Sequence, residues 1–485
     1  MIYYILRVIE KLLIIYFTTY FLIDIILYLY SLLNFRRKAK SSKEEVDYKA
    51  HPISIIVPSY NEEVSIITCT NMLLEIDYPS YELIIVNDGS TDGTMKKLKE
   101  GFKLFTIDKK KDELLNTKQI KQIYQVLNKS LIIIDKENGG KADSINAGIN
   151  YAKGKYICTI DADSILDSNA LKEVVKPFIF NCNTFVSGGQ LAVANDVTII
   201  HNKVVSSKTP TNIWVLWQIT EYIKSFMISR IGLSKINALL IMSGAFSLFK
   251  KEDLFKIGGF ITSLNTHPYI KQTIGLGKQT VCEDMEIVVR LWKYKRDNKI
   301  RAKAVFLPEP VCWTEVPDRG KNLFKQRSRW HQGLMETLKI HRDMIFEPKY
   351  GITGLIGLPY YFFFEMLAPI IKIFSFIFIV ISALYGTINY IWIVLLILSV
   401  MLITAIIMSS ITAIIEYWSL KQKAASRDAL RYKNFADWLR LISAGILAEF
   451  SYSFYKIAAQ TSGIINFLKK KNEWNKFERK GVKQI

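Results

Sequence analysis

The sequence predicts an α/β domain, a mostly parallel sheet with helices on both faces, flanked by α-helical transmembrane segments. Three observations carry this. Apolar stretches long enough to cross a bilayer lie toward both ends of the 485-residue chain. Between them, short β-rich runs alternate with helix-like stretches, which implies parallel strands joined by crossover helices. The third is segregation: half of all residues are hydrophobic, yet 22% are charged.

The N-terminal stretch, residues 12–33, holds 22 residues with one carboxylate, Asp24. About 20 apolar residues suffice to span, and a signal peptide would be shorter with a small-residue cleavage site. Arg36, Arg37, Lys38, Lys40 and Lys43 follow, so the positive-inside tendency places the middle of the chain in the cytosol. Near the other end, residues 370–385 and 391–416 read as a transmembrane hairpin, with residues 353–369 as an interfacial helix leading into it. Residues 437–466 read as an interfacial or re-entrant segment, because a simple span would put the basic tail (Lys469 to Lys483) outside. The ordinary alternative is a span that breaks the charge rule. These readings divide the chain into an anchor and basic linker (1–50), a cytosolic domain (51–346) and a membrane-associated C-terminal part (347–485), with the plasma membrane as location.

The net charge of +20 (64 Lys+Arg against 44 Asp+Glu) suits an anionic membrane surface or phosphorylated substrates. With no nucleic-acid module legible, no nucleic-acid partner is expected. Five scattered cysteines without a CxxC pair read as reduced and buried, not as disulfides or zinc ligands.

In the middle, strands are predicted at 53–57, 82–86, 131–134 and 156–160, with helices at 62–75, 92–102, 115–128 and 141–153. Residues 103–130 read as a solvated helix and surface insertion. Ligands of such sheets sit beyond the carboxyl ends of the strands, so chemistry is expected just after each one. Tyr60 and Glu62 follow the first strand; Tyr60 could stack on a base and Glu62 could accept a base or ribose hydrogen bond. An ordinary strand-to-helix turn explains them as well. Asp88 stands at the end of the second strand in a Gly-rich turn, where a carboxylate can meet nucleoside hydroxyls or the base. Lys141, after Gly139 and Gly140, supplies charge for a diphosphate at a helix start, or is simply solvated. Asp161 and Asp163 follow the fourth strand. Two carboxylates at a buried strand end are costly without a cation, and hard oxygen ligands suit Mg2+ or Mn2+. Ser243-Gly244-Ala245-Phe246 reads as wall and turn only.

Glu283 and Asp284 open a helix; they could merely cap it, or one could be a general base at the mouth of the site. On a helix, Gln326, Arg329 and Trp330 share a face offering an amide, a guanidinium and a flat apolar platform. The bland alternative is an amphipathic helix on anionic lipid, with Lys321, Lys325 and Arg327 facing the headgroups.

Taken in order, Asp88, Asp161/Asp163, Glu283/Asp284 and Gln326/Arg329/Trp330 resemble the pattern D, DxD, (T/E)ED, QxxRW. That pattern marks the processive branch of glycosyltransferase family 2, which includes cellulose, hyaluronan and poly-N-acetylglucosamine synthases. The resemblance covers nearly the whole chain and implies a GT-A catalytic domain. It also implies a UDP-sugar donor (UDP-N-acetylglucosamine or UDP-glucose), a polysaccharide acceptor, the lipid bilayer, and room for small membrane or export subunits. By resemblance, Tyr60, Glu62 and Asp88 would hold the uridine, Lys141 and Arg329 the diphosphate, and Asp161 and Asp163 the metal-diphosphate. Asp284 would be the base, beside Glu283, and Gln326 and Trp330 would hold the acceptor. Transfer would invert the anomeric carbon, and the membrane part would couple elongation to export. Cys282 departs from the Thr of many relatives, and Trp474–Gly481 looks like the family's cytosolic tail. Single transfer to a lipid carrier or glycolipid is the competing reading, and a silent membrane scaffold a third.

Overall fold

The structure, a computed structural model, describes residues 2–38, 46–108, 115–127, 129–386 and 432–470, with scattered residues between 391 and 417. The linker at 39–45, 12 of the 26 residues of the expected 391–416 segment, the basic residues 421–431 and the tail at 474–481 lie outside the described residues.

Among the described residues twelve strands form: β1 Ile53–Ser59, β2 Tyr81–Asp88, β3 Leu104–Thr106, β4 Ile120–Val126, β5 Leu131–Lys136, β6 Tyr156–Ile160, β7 Ser164–Leu166, β8 Thr184–Val193, β9 Val197–Ile200, β10 Lys203–Ser207, β11 Phe246–Lys250 and β12 Lys303–Thr314. β9 and β10 pair as a hairpin, and the other ten make one sheet in the order β3-β4-β5-β2-β1-β6-β11-β8-β12-β7. The predicted strands are β1, β2, β5 and β6, and they pair in parallel at the sheet centre. Ile55, Ile56, Ile84, Ile85 and Ile133 are fully buried there, as continuous apolar runs covered on both faces should be.

Two expectations are corrected. The sheet is mixed, because β11 inserts antiparallel to both β6 and β8, β7 runs antiparallel to β12, and β4 runs antiparallel to β3 and β5. The expected helix at 115–128 does not form among the described residues: Ile120–Val126 is a strand between β3 and β5, whose Ile123 and Val126 are buried while Lys121 and Gln125 face out. Its sequence, IKQIYQV, is polar enough to pass for a solvated helix, but pairing with β5 on one side and β3 on the other supplies its backbone partners. Of the cysteines, Cys69, Cys158, Cys282 and Cys312 are buried free thiols; Cys182 is exposed in the turn before β8.

Among the described residues one helix, Tyr3–Ser31, is long and apolar enough to cross a membrane. The segments Thr353–Met366 and Ala368–Leu384 pass the same test only as a pair, bent by 47°. The N-terminal helix Ile2–Lys38 is braced on the domain. Its Asp24 lies 3.7 Å from Lys224, Tyr16 donates to the Phe363 carbonyl at 2.9 Å, and Gly232 admits Leu27 at close range. Residues 437–466 fall on two helices, Phe435–Leu447 and Ser453–Leu468, joined by a π-helical segment, Ala448–Tyr452. The second lies along the helix Gly320–Ile340, where Gly463 brings it against the Ser328 carbonyl.

Candidate active site

The parallel pairing sets Ser59 beside Asn87 and Asp88 beside Lys136, so the loops after β1, β2, β5 and β6 gather on one edge of the sheet. Hydrogen bonds then knit them together. Asn61, in the left-handed region at φ 55°, donates its N–H to Ser90 Oγ at 3.0 Å and accepts from the Thr91 N–H at 2.8 Å. Glu62 donates its N–H to Thr94 Oγ1 at 2.8 Å and accepts from Ser65 Oγ at 2.7 Å. Tyr60 and Glu62 stay half-buried at the rim of the crevice.

Asp88 behaves differently. It is 3% exposed, and Oδ1 accepts from Lys136 Nζ at 2.7 Å and from the Gly139 N–H at 2.9 Å, while Oδ2 accepts from the Gly140 N–H at 2.8 Å. The fully buried Lys136 also reaches Asp143 Oδ1 at 2.6 Å. Both oxygens are thus engaged under the Gly139-Gly140 turn, which they hold in place. Gly140 needs its lack of a side chain, since its φ of +88° opens the helix Lys141–Tyr151.

That turn delivers Lys141 to the centre of the site. Its ammonium lies 2.6 Å from Asp161 Oδ1, 3.1 Å from Glu283 Oε1 and 3.2 Å from the Gly244 carbonyl. Burial would lower the lysine's pKa, but Asp161 and Glu283 together outweigh it and hold the group charged. Gly244 closes the circle by donating its N–H to Asp284 Oδ2 at 3.0 Å. A Cβ there would stand 3.1 Å from Lys141 Nζ and 3.2 Å from Asp284 Oδ2, so this position is closely packed between them. Sequence reading gave Gly244 no chemistry; only the antiparallel insertion of β11, which sets Phe246 opposite Ile160, brings it beside Asp161.

Glu283 and Asp284 begin the helix Glu283–Asp297, where a helix N-terminus favours negative charge. Even so, burial first and the neighbouring Glu283 charge second push the Asp284 carboxyl up to about 6. A carboxylate titrating there can both hold and release a proton near neutral pH.

The residues fit a divalent cation in kind. Asp161 and Asp163 supply hard oxygen donors one residue apart, with Ser164 Oγ donating to Asp163 Oδ1 at 3.4 Å. No group of three or more His, Cys, Asp or Glu side chains able to hold a metal occurs among the described residues. A cation here would complete its shell with oxygens of a diphosphate, the usual habit of Mg2+ in nucleotide sites.

The helix Gly320–Ile340 carries the remaining candidates to the opposite wall. Glu336 accepts from Thr280 Oγ1 at 3.0 Å and from the Val281 N–H at 2.9 Å, and Gly333 lets the helix backbone pack directly on Cys282. Trp330, 38% exposed, and half-buried Arg329 therefore flank the Cys282–Asp284 turn. Arg329 forms no ion pair among the described residues. Arg327, which only the alternative reading placed toward lipid, is buried and pairs with Glu221 at 2.5 Å. No sequence motif marked Glu221, which sits in the apolar helix Ile213–Tyr222.

Two family profiles match the chain: "Glycosyl transferase family 2" over residues 54–256 and "Glycosyl transferase family group 2" over residues 156–408, more than half of its length. The chain belongs to glycosyl transferase family 2. Its relatives within this family include the poly-beta-1,6-N-acetyl-D-glucosamine synthase of Staphylococcus epidermidis, 27% identical over 300 residues, which are 62% of this chain and 57% of that one. The same-named enzyme of Staphylococcus aureus strain COL is 27% identical over 290 residues, 59% of this chain and 55% of the relative. The match thus spans little more than half the length of these curated relatives. Among solved structures, the mannosyltransferase PcManGT of Pyrobaculum calidifontis, in complex with GDP-Man and Mn2+, aligns with a TM-score of 0.51 at 18% identity, covering 96% of this chain and 99% of that one. That likeness establishes a GT-A-like fold for this family 2 member.

Proposed function

We propose that this glycosyltransferase moves a sugar from a UDP-sugar, UDP-N-acetylglucosamine first among candidates, onto a growing β-linked polysaccharide at the membrane, with inversion. The observation that carries the reading is the linked set of Lys141, Asp161, Gly244, Glu283 and Asp284 at the carboxyl edge of the parallel strands. The names of the staphylococcal relatives support the polysaccharide and its sugar.

In this reading the uridine lies along Tyr60 and Glu62, and the diphosphate meets Lys141 and Arg329. Asp161 and Asp163 hold Mg2+ or Mn2+, which when bound offsets the charge of the departing diphosphate. The acceptor hydroxyl, held over Trp330 and beside Gln326, forms the new bond to the anomeric carbon as the bond to the UDP oxygen breaks. Asp284 takes the hydroxyl proton, and Glu283 steadies Lys141. The chain's membrane segments lie against the same domain, which favours extrusion of product from the site as it lengthens.

The test is incorporation from a panel of labelled UDP-sugars by reconstituted protein, with products sized on a gel. High-molecular-weight product from one donor is expected, lost in chelator, with a fall of about 100-fold or more in Asp284→Asn while UDP still binds. Near-normal turnover by that variant would remove Asp284 from the role of base. Short or lipid-soluble product would establish single transfer to a lipid carrier instead.

A further inference from the structure

Arg327 stands between two side chains assigned to the acceptor. Its guanidinium carbon lies 4.1 Å above the Trp330 ring, and its NH1 donates to Gln326 Oε1 at 3.0 Å. One face of the indole is thus covered by a cation while the side chain keeps 38% of its surface open. The arginine is itself fixed by groups from elsewhere in the chain. Its NH2 lies 2.5 Å from Glu221 Oε2, and its Nε donates to Tyr452 Oη at 3.4 Å. Glu221 is gripped in turn by Tyr452 Oη at 2.8 Å and Lys456 Nζ at 3.2 Å. Trp217 stacks on Tyr452 with ring centroids 5.5 Å apart, closing the node from the Ile213–Tyr222 side.

We infer that Arg327, clamped by Glu221 and Tyr452, is a positioning residue that sets the acceptor platform of Trp330 and Gln326, and so makes acceptor affinity depend on the docking of the C-terminal helices. The inference rests on the acceptor reading of Trp330 given above. Three physical points support it. A planar guanidinium both stacks on a ring and donates in fixed directions, here to Glu221, Gln326 and Tyr452, which a lysine cannot reproduce. An indole pinned on one face loses little freedom when a sugar stacks on the other, so acceptor binding meets a smaller ordering cost. The charges also favour permanence: despite burial, Arg327 and Lys456 hold the Glu221 carboxyl down to about 2, so the node stays ionised at any working pH.

The experiment measures initial rates with UDP-N-acetylglucosamine and a short β-linked N-acetylglucosamine oligosaccharide, for Arg327→Met, Arg327→Lys, Glu221→Gln, Trp330→Ala and the double variant Arg327→Met/Trp330→Ala. Loss of one cation–π contact and these hydrogen bonds is expected to raise the acceptor KM of Arg327→Met about tenfold, with donor KM within about twofold of the parent. Arg327→Lys and Glu221→Gln should fall between, and the double variant should be no worse than Trp330→Ala alone. If acceptor and donor KM rise together in Arg327→Lys and Glu221→Gln, or the double variant is additive, the arginine is merely structural and the inference fails. If Trp330→Ala itself leaves acceptor KM unchanged, the acceptor reading of Trp330 fails first, and the inference with it. Should Arg327→Met not fold, as judged by lost UDP binding, the two milder variants decide.

Discussion

Lys136 shows how a single residue can govern a site it never enters. Its ammonium is wholly buried between Asp88 and Asp143, and those carboxylates hold the backbone that presents Lys141. Lys136→Met leaves two buried carboxylates without their cation. A loss of about 3–5 kcal/mol is expected, read as a lower denaturation midpoint. Asp284 governs pH dependence. Its carboxyl is raised to about 6, and it must be ionised to act as base. Activity should therefore be full above this value and fall as pH drops through it, giving kcat/KM an acid limb near pH 6. Glu283→Gln removes a negative neighbour that raises the Asp284 pKa, so the limb should move to lower pH even as the rate declines; an unmoved limb in the pH–rate profile would assign it to another group. At this scale much was legible: Lys141, Asp161, Glu283 and Asp284 come together as their spacing after strands implied. What the sequence hides is that Lys136, 48 residues on, lies against the Asp88 carboxylate, because that contact is made only by folding.

Elements decide how close these groups stand. The helix Gly320–Ile340 approaches the Cys282–Asp284 turn through Gly333, where a Cβ would collide with the Cys282 side chain. Gly333→Ala is expected to force the helix and the turn apart, at a cost of about 1–3 kcal/mol of stability and with a fall in kcat/KM. Because the clash is with one side chain, Cys282→Gly in the same protein should recover part of both, as thermal melts and steady-state rates would reveal. The strand Ile120–Val126 is the contrary lesson. Its polar residues suggested a solvated helix, and only the open edge of β5 made it a strand, since β structure depends on what lies alongside more than on the segment's own residues.

At the scale of the whole molecule, the N-terminal helix and the C-terminal helices pack against the α/β domain. The N-terminal helix lies against the domain through Asp24–Lys224 and Leu27–Gly232, and Tyr452 and Lys456 join the C-terminal helices to Arg327 and Glu221. A 29-residue apolar helix at Tyr3–Ser31 is expected to keep the protein in membranes through an alkaline carbonate wash. Release into the supernatant would make the attachment peripheral.

The sequence by itself determined the family, the central parallel strands, the apolar N-terminal helix and the order in which the charged motifs follow the strands. These are local signals: runs of apolar residues, turns, and carboxylates at strand ends, each readable within a few residues. The tertiary structure alone decided that the sheet is mixed, that Gly244 joins Lys141 to Asp284, that Asp88 is engaged beneath its turn, and that Arg327 is buried against Glu221. Each of these joins residues distant in the chain, and the energy of a buried charge or a close backbone approach depends on the partner that folding brings to it.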